Sequence, residues 1–291
     1  MENNPSTECV RLALPKGRMK DGVFSILSEA GIRIKVSDRG YRPSINLPDF
    51  EVKILKPQNI VEMLDAGSRD LGFAGDDWVQ EKGANLVELV DTRMDPVKVV
   101  AAAPRPLLEN GKLPKQHLVI ASEYENLTRN WIKREGLDAT FVRSYGATEV
   151  FPPEDADCIV DNTSTGSTLR ANNLDIVGTV ATSSTRLYAN PRAMEIPKKK
   201  AAIENFAMLV QSVLAARSRV MVEVNVTADK LDSVVEALPC MRDATVSPLR
   251  DSKGFAVKAA VPRDELPTVI PMIKSSGGTD IVVTRLSQLV P

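Results

Sequence analysis

The sequence predicts an α/β protein built as two lobes, with a smaller module at its carboxy-terminal end. Three observations carry that expectation. Short apolar runs alternate with stretches of helical periodicity through the first two thirds of the chain. A Pro- and Gly-rich segment, PRPLLENGKLP at 104–114, interrupts the alternation. Beyond residue 216 the order changes to strand, helix, two strands, helix, strand.

The elements follow in chain order. VRLALP (10–15) is a short apolar run and KGR a turn, after which Val23, Ile26, Leu27 and Ala30 fall at helical spacing, closed by Gly31. EVKIL (51–55) reads as a strand, Pro57 opens a helix carrying Ile60, Met63 and Leu64, and DLGFAG (70–75) is the next strand. Such βαβα order implies a largely parallel sheet whose ligands gather at the carboxyl ends of strands. After the hinge-like 104–114 segment come HLVIA (117–121), a helix from about Leu127 to Arg134 ended by Gly136, ATFVRS (139–144) and DCIVD (157–161). LDIVGTVA (174–181) and a helix over roughly Lys199 to Ala216 then return to the first lobe. The expected division is 1–103 with 187–216 for lobe I, 104–186 for lobe II and 217–291 for the last module. In that module RVMVEVNV, a helix over Asp229 to Leu238, ATVSPL, GFAVKAAV, a helix after Pro262 and DIVVTRL give βαββαβ order. This is the ferredoxin-like plan, shared by small regulatory modules that bind amino acids between paired copies.

Bulk properties narrow the function. The 291 residues are 43% hydrophobic and 26% charged, close to soluble globular averages, and the formal charge of -1 argues against a broad surface for nucleic acid or anionic membrane. Any anion must be met locally. Cys9, Cys158 and Cys240 are odd in number and lack CxxC spacing, so neither a disulfide framework nor a zinc site is expected. No stretch approaches the roughly 20 apolar residues of a membrane span, and MENNPSTECV lacks the form of a secretory signal. A cytoplasmic protein is expected. His117, the one histidine, sits beside a strand-like run and reads as structural or surface.

The strongest local chemical signal is IVDNTSTGSTLRANN. An apolar strand ends at Asp161, and Thr163, Ser164, Thr165, Gly166, Ser167 and Thr168 precede a helix. Hydroxyls, consecutive N–H groups, a glycine that lets the backbone approach and a helix N-terminus together suit a phosphate. The same composition also describes a Ser/Thr-rich cap that binds nothing. LPKGRM is the second candidate, because Lys16 and Arg18 flank Gly17 at the end of the first strand; an Arg fork and a compact Lys charge suit polyphosphate, though both also serve as solvated turn residues. Asp76, Asp77, Glu149, Glu154, Asp155, Asp157 and Asp161 lie mostly near strand ends, where a carboxylate can meet ribose hydroxyls or hydrated Mg²⁺, or act as a cap. The run Lys198, Lys199, Lys200 reads as a solvated helix start.

LALPKGRM, GATEV at 146–150 and ADCIVDNTSTGSTLRANNLDIVGTVATSSTRLYAN together resemble the long form of ATP phosphoribosyltransferase, with a match through nearly the whole chain. The resemblance implies a two-lobed catalytic unit of the type II periplasmic-binding-protein plan, followed by a ferredoxin-like regulatory domain. It implies that Asp161, Asn162 and the loop Thr163 to Thr168 cradle the 5′-phosphate and ribose of 5-phosphoribosyl 1-diphosphate. It places Lys16, Gly17 and Arg18 near the diphosphate or the phosphates of ATP, and Ala74, Gly75 and Asp76 along the nucleotide cleft. Lys16, Arg18 and Asp161 would carry catalysis, with Mg²⁺ borne by the substrate and no covalent nucleophile. Asn162 stands where the family commonly has an aliphatic residue. TVSPL at 245–249 and the closing strand resemble the regulatory domain, which implies feedback inhibition by histidine near Glu223, Thr245 and Ser247 and homo-oligomers, dimers assembling into hexamers. Two other readings share the two-lobed plan: a type II solute-binding protein without chemistry, and a catalytically silent regulatory subunit.

Overall fold

The computed structural model describes residues 8–36, 40–241, 243–250 and 253–290. In chain order its strands and helices are β1 (Val10–Pro15), α1 (Met19–Glu29), β2 (Ile34–Lys35), β3 (Ser44–Ile45), β4 (Phe50–Leu55), α2 (Pro57–Asp65), β5 (Leu71–Gly75), α3 (Asp76–Lys82), β6 (Val87–Pro104), β7 (Leu118–Ser122), α4 (Glu125–Glu135), β8 (Ala139–Arg143), β9 (Cys158–Thr163), α5 (Ser167–Ala171), β10 (Leu174–Ala189), α6 (Pro191–Met194), α7 (Pro197–Arg217), β11 (Arg219–Val226), α8 (Leu231–Glu236), β12 (Thr245–Pro248), β13 (Phe255–Pro262), α9 (Leu266–Ser275) and β14 (Thr279–Arg285). Two compact units emerge. One holds the described residues up to Ser25 together with Ile32–Ala207, and the other holds Ile26–Gly31 and the chain from Met208.

The first unit is organised on one eight-stranded sheet in the order β4-β1-β5-β10-β6-β9-β7-β8. Its flanks are parallel, β4-β1-β5 on one side and β9-β7-β8 on the other, as the strand-helix alternation requires. Between them β6 and β10 run antiparallel through both halves. Their length was not legible in the sequence, since Asp91, Arg93, Asp95 and Pro96 break the apolar pattern ahead of VKVVAAA. These residues sit where the ribbon is irregular: Arg93 and Asp95 have positive φ of 56° and 47°, and the β6–β10 register shifts between Ser183 and Arg186. The 104–114 segment forms a short 3₁₀ turn at Arg105–Leu107 and a tight Glu109–Lys112 bridge.

Apolar faces of the sheet bury Leu12, Leu14, Phe73, Val99, Ala101 and Ile120 completely. On the β4-β1-β5 side Phe206 of α7 stacks on Phe50, with ring centroids 5.4 Å apart, and meets Phe73 at 6.4 Å. Near the edge of this core lies a buried charge cluster. Asp70, 3% exposed, accepts from the Arg11 guanidinium at 2.8 and 2.9 Å, from the Arg11 backbone N–H at 2.8 Å and from Lys199 Nζ at 2.9 Å. Lys199 is therefore a core partner and not part of a solvated helix start. Burial pushes the Asp70 carboxyl up, but the Arg11 and Lys199 bonds outweigh it and hold the group below the ordinary carboxylate range. A depressed folded-state pKa gives stability that is present above the unfolded value and lost as pH falls through the folded one. Asp70→Asn is expected to cost about 3–5 kcal/mol in denaturant unfolding at neutral pH, because it leaves two cations facing a neutral amide. A cost below about 1 kcal/mol would show that the cluster is neutral to stability.

The second unit contains the sheet β12-β13-β11-β14, antiparallel throughout. Order β11-α8-β12-β13-α9-β14 in this arrangement is the ferredoxin-like plan expected from the sequence. Val220, Val222, Val224 and Val226 of β11 pack with Val257, Ala259, Val261, Val234, Val269 and Ile273 into its core. The strict alternation on β11 gives Val220, Val222, Val224 and Val226 to this core and turns Arg219, Met221, Glu223 and Asn225 to the other face.

Candidate active site

Three strand ends in the first unit converge. β1 delivers Lys16, Gly17 and Arg18 into the turn before α1, fixed by the Lys16 N–H bonded to the Leu55 carbonyl at 2.9 Å. The Lys16 ammonium lies 5.6 Å from the centre of the Tyr41 ring. β5 delivers Gly75 and the first turn of α3, and β9 delivers Asp161, Asn162 and Thr163.

After β9 the chain turns through Gly166, whose φ of 71° only glycine adopts without strain, and whose N–H donates to Thr163 Oγ1 at 2.9 Å. Thr165 Oγ1 donates to Ser167 Oγ at 3.0 Å. The expected helix after the loop is present but has only five residues, so the loop's own donors outweigh any macrodipole. Glu149, Asp161, the loop hydroxyls and Arg18 line a cavity of about 290 Å³. Its carboxyl at Asp161 is pushed up to about 6 by burial, eased by the Asn162 backbone N–H and raised further by Glu149 and Glu123. Gly166→Ala should add roughly 1–2 kcal/mol of left-handed backbone strain, while the new Cβ at 2.9 Å meets only the movable end of Arg170. A melting temperature lower by about 2–4 °C is expected, together with weaker binding of any phosphate in this cavity, measured by calorimetry. Unchanged phosphate binding would remove the loop from the site.

A second cavity of about 280 Å³ shares Arg18 and Asn162 with the first and adds Lys16, Asp77, Trp78 and Tyr124. Its floor is the irregular part of β6 and β10, at Asp95, Val97 and Ser183 to Thr185. Tyr124 is fully buried and stacks on Trp78, with ring centroids 4.7 Å apart. The Tyr124 hydroxyl donates to Asp77 Oδ2 at 2.6 Å and accepts from Asn162 Nδ2 at 3.0 Å. Ser183 Oγ donates to Asp77 Oδ1 at 2.7 Å and accepts from the Asp77 N–H at 2.9 Å. Burial, then the Asp77 charge, push the Tyr124 phenol well above its ordinary range, so it keeps its proton. Glu81 of α3 accepts from the N–H groups of Asn126 and Leu127 at 3.1 and 3.0 Å, capping α4, which has no side-chain cap at Tyr124.

Of the three residues expected along a nucleotide cleft, Gly75 alone lines this second cavity. Ala74 is fully buried, and Asp76 turns away to accept from Tyr188 Oη at 2.8 Å and from Gln80 at 2.6 Å, with Arg186 at 3.3 Å. Asp77 faces the cavity instead. Two successive residues in a helical turn point about 100° apart, and nothing in GDDW says which carboxylate faces inward. The structure shows the role of Gly75: a Cβ there would stand 2.2 Å from Asp77 Oδ1, so the glycine makes room for that carboxylate. Trp78 and Tyr124 carried no sequence signal beyond being scarce aromatics. Asp157 accepts from the Val119 N–H at 2.7 Å and is structural. His117 is exposed between Asp138 and Thr140, at 3.0 and 2.9 Å. Among the described residues no group of three or more His, Cys, Asp or Glu is placed to hold a metal ion, and no helix is long and apolar enough to cross a membrane.

In the second unit Glu223, Thr245 and Ser247 fall on the face of the sheet opposite the valine core. Glu223 and Thr245 both register with Lys258, Ser247 registers with Ala256, and Lys258 Nζ is 2.7 Å from Glu223.

A family model described as ATP phosphoribosyltransferase matches residues 56–212, and one for the C-terminal domain of the same family matches 216–288. The chain belongs to the ATP phosphoribosyltransferase family. Full-length relatives agree: an ATP phosphoribosyltransferase of Pelotomaculum thermopropionicum is 34% identical, with 97% of this chain and 99% of the relative covered. One of Chlorobaculum parvum is 36% identical, with 98% and 99% covered. Among solved structures, the ATP phosphoribosyl transferase (HisG:HisZ) complex from Thermotoga maritima superposes with a TM-score of 0.61 at 26% identity, covering 69% of this chain and 96% of the other. An ATP phosphoribosyltransferase must hold two phosphorylated substrates at once, and the chain offers two cavities that meet at Arg18 and Asn162.

Proposed function

We propose that this enzyme joins N1 of the adenine in ATP to C1 of 5-phosphoribosyl 1-diphosphate, forming N1-(5-phosphoribosyl)-ATP and diphosphate in the first step of histidine biosynthesis. The observation that carries the reading is the paired cavity, one wall rich in hydroxyl and N–H donors and the other bearing an aromatic pair beside two cations. The loop Thr163 to Thr168 takes the 5′-phosphate, Asp161 orients the ribose hydroxyls, and Trp78 with Tyr124 supports the adenine. Lys16 and Arg18 hold phosphates of ATP and the departing diphosphate. The N1 lone pair attacks C1 as the C1–O bond breaks, with inversion, and the diphosphate leaves with the electron pair. Positive charge grows on the ribose and negative charge on the leaving group, so preorganised charges supply the catalysis. Mg²⁺ borne by the diphosphate would screen its charge, and Asp161 and Glu149 would offer the oxygen donors such an ion prefers.

On this reading 1–103 with 187–216 form lobe I, 104–186 form lobe II, and 217–291 regulate. Histidine binds at Glu223, Thr245 and Ser247 on the sheet face opposite the valine core, between paired copies of the module, within dimers that assemble into hexamers. Three thiols without disulfide partners support a cytoplasmic setting.

The test is direct. Protein supplied with ATP, 5-phosphoribosyl 1-diphosphate, Mg²⁺ and a pyrophosphatase should form the adduct, followed spectroscopically; no turnover by a folded sample would end the reading. Added histidine should inhibit, and insensitivity of the full-length enzyme would refute the regulatory part alone.

A further inference from the structure

The two cavities are joined by one continuous line of hydrogen bonds. Its direction is fixed by proton inventory. The single Tyr124 hydroxyl proton goes to Asp77 Oδ2 at 2.6 Å, so the phenolic oxygen can only accept, and Asn162 must present its NH₂ group to it, as it does at 3.0 Å. At the other end Asn162 is held by Asp161: its backbone N–H donates to Asp161 Oδ1 at 2.7 Å, and its Nδ2 lies 3.4 Å from the same oxygen. The Asn162 amide is thus shared between the carboxylate of the loop cavity and the phenol of the nucleotide cavity.

We infer that Asn162 is a positioning residue that couples the two substrates: an occupant of the loop cavity draws on Asp161, releases the Asn162 amide to Tyr124, and so fixes the Tyr124–Trp78 pair for the nucleotide. This rests on the two-substrate reading above. The energetic sense follows from the sharing of one planar amide, whose two N–H groups point in fixed, divergent directions, so that turning one toward Asp161 Oδ1 at 3.4 Å takes the other off line with Tyr124. With the loop cavity empty, Asp161 Oδ1 draws the amide toward itself; once a ribose hydroxyl engages that carboxylate, the amide is free to align on Tyr124, which is then held from both sides by Asn162 and Asp77. Ser183 anchors the far end through Asp77, at the point where β6 and β10 are irregular. A residue that merely satisfies a buried phenol would leave the two binding events independent. A shared amide links them reciprocally.

Ribose 5-phosphate serves as an unreactive occupant of the loop cavity, and ATP binding is measured by calorimetry with and without it. In the native enzyme ATP should bind about tenfold tighter when ribose 5-phosphate is present, a typical coupling of roughly 1.4 kcal/mol. Asn162→Val and Tyr124→Phe should each bring that factor to within about twofold of unity, and the double variant should go no lower. Asn162→Asp should behave like Asn162→Val, since a carboxylate cannot donate to the phenol. Matching circular dichroism of the variants separates coupling from misfolding, and Tyr124→Phe tests the link from the other side should Asn162→Val fold poorly. The inference is overturned if Asn162→Val keeps the tenfold factor, if it weakens both ligands with the factor intact, or if the native enzyme turns over normally with a factor of one. Absence of both turnover and ATP binding in the native protein would instead refute the functional reading itself.

Discussion

Asp161→Asn should lower kcat/KM by about 10²–10³-fold, the usual effect of removing one preorganised group that meets developing charge. It should also erase an acid limb. With its carboxyl raised to about 6, Asp161 takes up a proton as pH falls through that value, and activity needing the carboxylate falls with it. The substrate's own phosphate titrates nearby, so the informative quantity is the ratio of native to variant kcat/KM across pH, in which the shared titration cancels. That ratio should rise through about pH 6. Glu149→Gln, which removes a like charge, should move the midpoint lower. Stability should change in the opposite sense. A carboxyl with a raised folded-state pKa favours the native state when protonated and costs stability as pH rises through the window above its unfolded value, so Asp161→Asn should melt higher than the native protein at pH 8. Lower activity with a higher melting temperature cannot come from misfolding. An activity loss under tenfold, with the acid limb retained, would remove Asp161 from the chemistry.

Arg18→Ala should weaken both substrates, because this one side chain lines both cavities. Loss of charge-assisted bonds worth about 1.5–3 kcal/mol each predicts a fall in kcat/KM on the order of 10²-fold for ATP and for 5-phosphoribosyl 1-diphosphate alike. Lys16→Ala gives the contrast: Lys16 lines only the cavity proposed for the nucleotide, so its KM effect should fall chiefly on ATP, and the loss of its hold on the departing diphosphate should show in kcat. Arg18→Lys should recover only part of the loss, since an ammonium cannot reproduce the planar fork. An initial-rate matrix over both substrates separates these patterns. If Arg18→Ala affected one substrate alone, Arg18 would not stand between them.

Much of this site was legible in the chain, and the reason is local. Strand, turn and helix signals around LPKGRM and IVDNTSTGSTL lie within a dozen residues of one another, so propensity and turn chemistry place Lys16, Arg18 and the 163–168 loop at strand ends without tertiary information. The βαββαβ module was legible for the same reason, through the alternation Val220, Val222, Val224, Val226. What escaped was long-range. Asp77 meets Ser183 across more than a hundred residues of chain, and Tyr124 reaches Asp77 and Asn162 from an unremarkable position before α4. No periodicity records such meetings. Lys199 looked like part of a solvated run because its partner, Asp70, comes from a distant strand end. The β2–β3 hairpin, with two residues in each strand, is too short to leave a pattern.

The β6–β10 ribbon also bears on how the molecule comes into being. When β6 emerges from the ribosome, neither of its partners exists yet: β9 and β10 follow only at Cys158–Thr163 and Leu174–Ala189. At synthesis rates of about 5–20 residues per second, an 18-residue strand therefore waits several seconds with both edges unpaired. β5 waits as well, since it pairs with β10. The nascent chain thus carries open strand edges until most of the catalytic unit has been made, and that interval is when chaperones have the most to protect.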